Sequence, residues 1–173
     1  MKVSPRIYAL YGTVGSGKST LGKSLSKHFG GIPHLSSDGI REELLGDPAK
    51  RGGQVFETMR SRLLGHLAGG SSVVLDSTGM SDKYRNILNE FRDKVPMHVI
   101  QLSCDPAAWK AREGMRTDRW KMEDGKRVPF VMPDRAYNES SQVFVPPDLH
   151  IDTTNLHPDE VFSQALNHIK KTT

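Results

Sequence analysis

The sequence predicts an α/β protein: a parallel sheet with helices on both faces, a three-layer sandwich. Two observations predict it. Short β-rich runs alternate with longer stretches of helical period, and the pairs Gly30-Gly31, Gly69-Gly70 and Pro146-Pro147 close helical stretches. A third, the glycine-rich loop after the first run, also predicts the chemistry.

Residues 6–11 read as the first strand. Leu21, Leu25 and Phe29 then recur every four residues, one face of an amphipathic helix that stops at Gly30-Gly31. Residues 32–36 make a short second strand, and Val55, Met59, Leu63 and Leu67 a second helical stripe. The run 72–76 (Ser-Val-Val-Leu-Asp) is the clearest buried strand. Tyr84, Ile87, Leu88 and Phe91 give a third helix, and 97–102 a fourth strand. Asp105-Pro106 supplies a helix cap followed by proline at the first helical position. The stretch 117–133 is polar, basic and weakly periodic, with a turn over 123–126. A helix over 135–144, ended by Pro146-Pro147, precedes a fifth strand at 149–151. Val161, Phe162, Ala165, Leu166 and Ile169 mark the closing helix. No repeat interrupts this pattern, so 1–173 is expected to form one domain with a basic excursion at about 112–136.

Composition narrows the class. With 36% hydrophobic and 25% charged residues, 173 residues suffice for a globular core. No run approaches the roughly 18 apolar residues of a membrane span. Cys104 is the single cysteine, which excludes an internal disulfide; a structural thiol and a cytoplasmic protein are expected. The net charge of +4 is compatible with nucleic acid, nucleotides or phosphorylated metabolites and does not choose among them.

Gly12-Thr13-Val14-Gly15-Ser16-Gly17-Lys18-Ser19 matches the P-loop pattern, between a strand and an amphipathic helix. The glycines let backbone N–H groups turn inward around a β-phosphate, and the helix adds its positive N-terminal end. Residues 12–20, from Gly12 to Thr20, are therefore the candidate ATP site. Lys18 is expected to reach the β- and γ-phosphates, and Ser19 to ligate Mg²⁺. Asp76, ending its strand, is expected to be a Walker-B-type carboxylate placed near the metal, the simpler alternative being a cap of the following turn.

Asp76-Ser77-Thr78-Gly79 also has the form by which a switch GTPase senses a γ-phosphate, but no asparagine-lysine-x-aspartate box follows. Ser37-Asp38-Gly39-Ile40-Arg41 points to a kinase instead. It follows the second strand at the carboxyl edge, where ligands of α/β sheets bind. Asp38 there can take a proton from an attacking hydroxyl, with Arg41 facing the same pocket. The simpler alternative is that Asp38 caps a helix through residues 41–44. Arg112, Arg116 and Arg119 follow helical spacing and would close over the phosphates from one face if the helix persists. Arg127 and Arg135 are further candidates. Trp109 and Trp120 could stack on a base, with core packing the expected role.

With these residues in place the chain resembles the P-loop kinases that include the 5′-kinase domain of phage polynucleotide kinase, small bacterial kinases and zeta-type toxins. The resemblance implies a five-stranded parallel sheet in the order 2-3-1-4-5 and an arginine-bearing lid. It makes Asp38 the general base, Arg41 an acceptor contact, and Asp76 a residue of the acceptor and metal side. Arg116, with Arg112, would bridge the transferring phosphate. The implied reaction moves the γ-phosphoryl group of ATP, with Mg²⁺, to a hydroxyl acceptor: a polynucleotide 5′-hydroxyl first, or another nucleic-acid or nucleotide hydroxyl. Single-stranded nucleic acid is then an expected partner. A small-molecule kinase for a sugar, antibiotic or nucleotide sugar is the alternative, and a regulatory nucleotide-binding protein a further one. The stretch 120–126 has no counterpart in this resemblance.

Overall fold

Ile7–Gly12 (β1) forms the middle of the sheet because both of its faces are covered: all six residues are buried. Ile7, Ala9 and Tyr11 point to one side and Tyr8 and Leu10 to the other, the period-2 alternation of a strand. The computed structural model describes residues 4–46, 53–117 and 120–172. Along them, β1 is followed by Lys18–His28 (α1), His34–Ser36 (β2), Ser37–Leu45 (α2), Gln54–Ala68 (α3), Val73–Asp76 (β3) and Asp82–Phe91 (α4). Met97–Ser103 (β4), Pro106–Gly114 (α5), Trp120–Glu123 (β5), Lys126–Pro129 (β6), Asp134–Ser140 (α6), Leu149–Asp152 (β7) and Pro158–Lys171 (α7) complete the order.

The main sheet is parallel in the order β2-β3-β1-β4-β7, the predicted 2-3-1-4-5 with β7 as the fifth core strand. One face packs on Val55, Met59 and Leu63 of α3 and Tyr84, Ile87, Leu88 and Phe91 of α4. The other packs on Leu21 and Leu25 of α1 and Val161, Ala165 and Ile169 of α7. These are the predicted stripes, and the three layers follow from them. Strand order reverses around β1, so the carboxyl ends of β1, β2, β3 and β7 surround one crevice.

Three local readings change. Residues 37–45 are helical, but Ser36 is the cap: its hydroxyl accepts from Gly39 N, leaving Asp38 free of a capping role. The excursion contains a two-stranded antiparallel hairpin, β5–β6, which the sequence pattern did not reveal beyond its turn. Asp124 (φ 49°) and Gly125 (φ 75°) both have positive φ, the two-residue turn that Asp-Gly favours. Trp120-Lys121-Met122-Glu123 alternates over only four residues and Lys126-Arg127-Val128-Pro129 does not alternate, and Arg127 lies over the Trp120 ring at 4.0 Å. Finally, α6 stops at Ser140 instead of reaching Phe144. Beyond it the chain turns inward: Val145 is buried in the core and its carbonyl accepts from the Tyr11 hydroxyl at 2.5 Å.

Behind the sheet, His98 on β4 is buried, stacked on Tyr8 and edge-on to His168. Desolvation first, then the charges of Arg6 and His168, hold its pKa below the usual histidine value. The unfolded chain therefore binds a proton that the folded one refuses. This contribution to stability is complete above the unfolded pKa of about 6.5 and is lost as pH falls below it. The urea midpoint is expected to drop between pH 7.5 and pH 5.5, and His98→Gln to flatten that slope; parallel slopes would refute the assignment.

Candidate active site

The loop from Gly12 to Lys18 starts where β1 leaves the sheet and ends as the first turn of α1. Gly17 precedes that helix in the left-handed region, no side chain caps it, and no acidic residue stands in its first turn. Its first backbone N–H groups are thus left to an anion. Gly15 has φ 73°, and a Cβ there would stand 2.8 Å from Trp109 Cδ1, so the loop can pass over the indole only as glycine. Trp109 is accordingly core beneath the loop, packed with Val14 and the buried, neutral-favouring thiol of Cys104. On the loop's outer turn, Val14 N donates to Ser140 Oγ at 3.0 Å. Lys18 is nearly buried, its Nζ donating to Gly12 O (3.1 Å) and Thr13 O (2.7 Å).

A cavity of about 550 Å³ opens along the carboxyl edge of the sheet. Residues 14–20 form its floor; Gly12 and Thr13 lie behind them. On the β2/β3 side the wall carries Ser36, Ser37, Asp38, Asp76, Ser77 and Thr78; on the β7 side, Thr153, Leu156, Pro158 and Val161. Arg112, Met115, Arg116 and Met132 close it from the excursion.

Ser19 Oγ donates to Asp76 Oδ2 at 2.6 Å, and Asp76 is 3% exposed. This hydroxyl–carboxylate pair is a hard oxygen set suited to Mg²⁺. Among the described residues no cluster of three His, Cys, Asp or Glu stands ready for a metal. A cation here would fill its shell with water and phosphate oxygens, as Mg²⁺ does at such sites. The Asp76 peptide region is itself fixed to β1, with Ser77 N donating to Leu10 O and Gly12 N to Thr78 O.

Asp38 stands in the first turn of α2 with its side chain 66% exposed, paired to Arg41 Nη1 at 2.6 Å. Arg41 is not part of the cavity wall; it meets the site through Asp38. Of the three expected lid arginines, Arg112 and Arg116 do not share a helical face. Helix α5 ends at Gly114, so only Arg112 lies on it and Arg116 follows it; Arg119 lies outside the described residues.

Arg112 is engaged with the scaffold. Its guanidinium donates to Thr153 Oγ1 (3.0 Å), Thr153 O (2.5 Å), Thr154 O (3.4 Å) and Gly15 O (3.4 Å). Thr153 Oγ1 in turn donates to Ser16 O at 3.1 Å. Arg112 and Thr153 together join the phosphate loop to the chain after β7, an edge of the site that the sequence reading missed. The only signal for it was Asp152-Thr153-Thr154 at the carboxyl end of the fifth strand. Arg112→Ala removes charge-assisted hydrogen bonds of ~1.5–3 kcal/mol each, so nucleotide affinity is expected to fall about 10-fold or more. Calorimetric titration would check this, and an unchanged affinity would refute the stitching role.

Fold and site define a P-loop nucleotide-binding domain with the architecture of P-loop kinases. The family model described as AAA domain (AAA_33) matches residues 7–147, and the chain belongs to that family. No curated protein matches it in sequence. Among solved structures it resembles a gluconokinase from Sinorhizobium meliloti 1021: 19% identity, 98% of this chain and 94% of that one, TM-score 0.66. The APS kinase of Mycobacterium tuberculosis, in complex with AMPPNP and APS, matches at 15% identity over 96% and 98%, TM-score 0.62. A chain of the Pnkp1/Rnl/Hen1 RNA repair complex matches at 14% identity over 82% of this chain and 44% of that one, TM-score 0.66. Among the described residues, no helix is long and apolar enough to cross a membrane.

Proposed function

We propose that this protein is an ATP- and Mg²⁺-dependent kinase that transfers the γ-phosphoryl group to a substrate hydroxyl. The observation that carries the reading is one cavity wall: the phosphate loop, the Ser19–Asp76 pair and the Asp38 carboxylate line the same space. ATP would lie along residues 14–20, its phosphates against Lys18 and the start of α1, its base toward Thr153, Leu156 and Arg112. The acceptor would enter on the β2/β3 side. Asp38 takes the hydroxyl proton as the acceptor oxygen bonds to the γ-phosphorus and the bond to the ADP oxygen breaks. Lys18 and Arg116 hold the charge spread over the phosphoryl oxygens, and the excursion, as a lid, keeps water out. Ser19 and Asp76 would hold Mg²⁺, which would supply charge neutralisation for the transferring phosphoryl group.

For the acceptor, a polynucleotide 5′-hydroxyl is the first reading, supported by the basic balance of the chain and by the likeness to a chain of an RNA repair complex. A small hydroxylated molecule is the second. It is favoured by the hydroxyls of Ser36, Ser37, Ser77 and Thr78 on the acceptor wall, and by near full-length likeness to small-molecule kinases. The test is transfer of labelled γ-phosphate to a 5′-hydroxyl oligonucleotide, with a 5′-phosphorylated strand as control, beside a panel of sugars and nucleosides. Label on the 5′-hydroxyl strand alone supports the first reading, and label on a metabolite the second. Intact ATP binding with no acceptor in either set would remove the kinase reading.

A further inference from the structure

We propose that His34 is a positioning residue for the Asp76 carboxylate and that Gly22 is glycine in order to seat it. The inference rests on the reading of Ser19 and Asp76 as the cation site and adds to it a member that neither the motif nor the spacing contains.

Register brings the two side chains together. On the paired strands His34 stands opposite Val74 and Ser36 opposite Asp76, so His34 and Asp76 are diagonal neighbours on one face. That face is the one covered by α1, since Val74 packs with Leu21 and Leu25. The His34 ring reaches along it until Nε2 lies 3.3 Å from Asp76 Oδ2. A carboxylate oxygen only accepts, so this contact is a hydrogen bond in the tautomer that places the proton on Nε2. Ser19 Oγ donates to the same oxygen at 2.6 Å. Two donors on Oδ2 fix the rotation of the carboxylate at the cavity that Asp76 lines. In a loaded site the Ser19 hydroxyl would be shared with the cation, whereas the imidazole would stay with Asp76.

The seat lies across the interface. Gly22 sits in the interior of α1, where glycine costs about 1 kcal/mol relative to alanine. A Cβ at this position would stand 2.5 Å from His34 Nε2, 2.9 Å from Cε1 and 3.0 Å from Cδ2. All three of these nearest atoms belong to this ring. The helix gives up propensity where the imidazole needs room, and the ring spends that room on the carboxylate.

Outer partners of metal-holding groups typically govern metal affinity by about 10–100-fold. The experiment is a Mn²⁺ titration followed by EPR in the presence of ADP, with ADP affinity in EDTA and thermal melts alongside. His34→Leu is expected to weaken Mn²⁺ binding about 10-fold while leaving metal-free ADP affinity unchanged, and His34→Gln, which keeps a donor near Nε2, to restore most of it. Gly22→Ala should reproduce the loss in the wild-type background and add nothing in His34→Ala, the non-additivity of a contacting pair. Wild-type Mn²⁺ affinity in His34→Leu, or additive losses in the double variant, would overturn the proposal while leaving the cation site intact. A wild-type protein that binds ADP but shows no ADP-dependent Mn²⁺ binding would overturn the cation site itself.

Discussion

Lys18→Ala is expected to lower phosphoryl transfer by about 10³-fold or more, a loss on the scale of removing a main electrostatic donor from a developing anion. Lys18 is 8% exposed, so its charge acts in a site of low dielectric. Its Nζ is already aimed across the loop by the carbonyls of Gly12 and Thr13. Truncation removes the cation and also leaves those two carbonyl oxygens without it, beside the position a phosphate would take. The fold should survive, because the first turn of α1 is held by backbone bonds such as Leu21 N to Gly17 O. Labelled transfer with a melting curve in parallel measures both. Transfer within a few-fold of wild type would remove the phosphate loop from the mechanism.

Asp38→Asn is expected to reduce turnover by about 10²–10⁴-fold, the usual contribution of a positioned general base, with ATP affinity within about twofold. The asymmetry follows from position. Asp38 is on α2, on the β2/β3 side of β1, and its carboxylate pairs with Arg41. Asparagine keeps the size and can accept from Arg41, but it cannot take a proton. Single-turnover transfer against nucleotide titration separates the two effects. Near-normal turnover would take the base away from Asp38, and a matching loss of ATP affinity would make the residue structural.

How much of this was legible in the sequence depended on whether a residue's role is local. Leu21, Leu25 and Phe29, or Tyr84, Ile87, Leu88 and Phe91, declare their helices by spacing alone, and the phosphate loop declares itself by composition. Strand order also followed, through resemblance to a known architecture. Roles that need two distant segments were not legible. Arg112 counted as one of three arginines at helical spacing, yet its partners are Thr153, Thr154 and Gly15, which only the assembled sheet edge brings to it. The hairpin escaped because its strands are four residues each and neither has a fully buried face to extend an alternation. Ser36 and Asp38 are both good capping residues, and only the backbone decides that Ser36 takes the role.

The two feet of the excursion rest on the phosphate loop itself: Trp109 of α5 lies under Gly15, and Ser140 of α6 accepts from Val14 N. Arg112, just inside the first foot, also donates to Gly15 O, whereas the hairpin β5–β6 farther out is bonded strand to strand. It is in that sense a cassette, whose length and side chains can be exchanged during evolution or by a protein engineer while the nucleotide end stays as it is. Grafting between Trp120 and Pro129 would then change the excursion while leaving the sheet, Arg116 and Met132 in place.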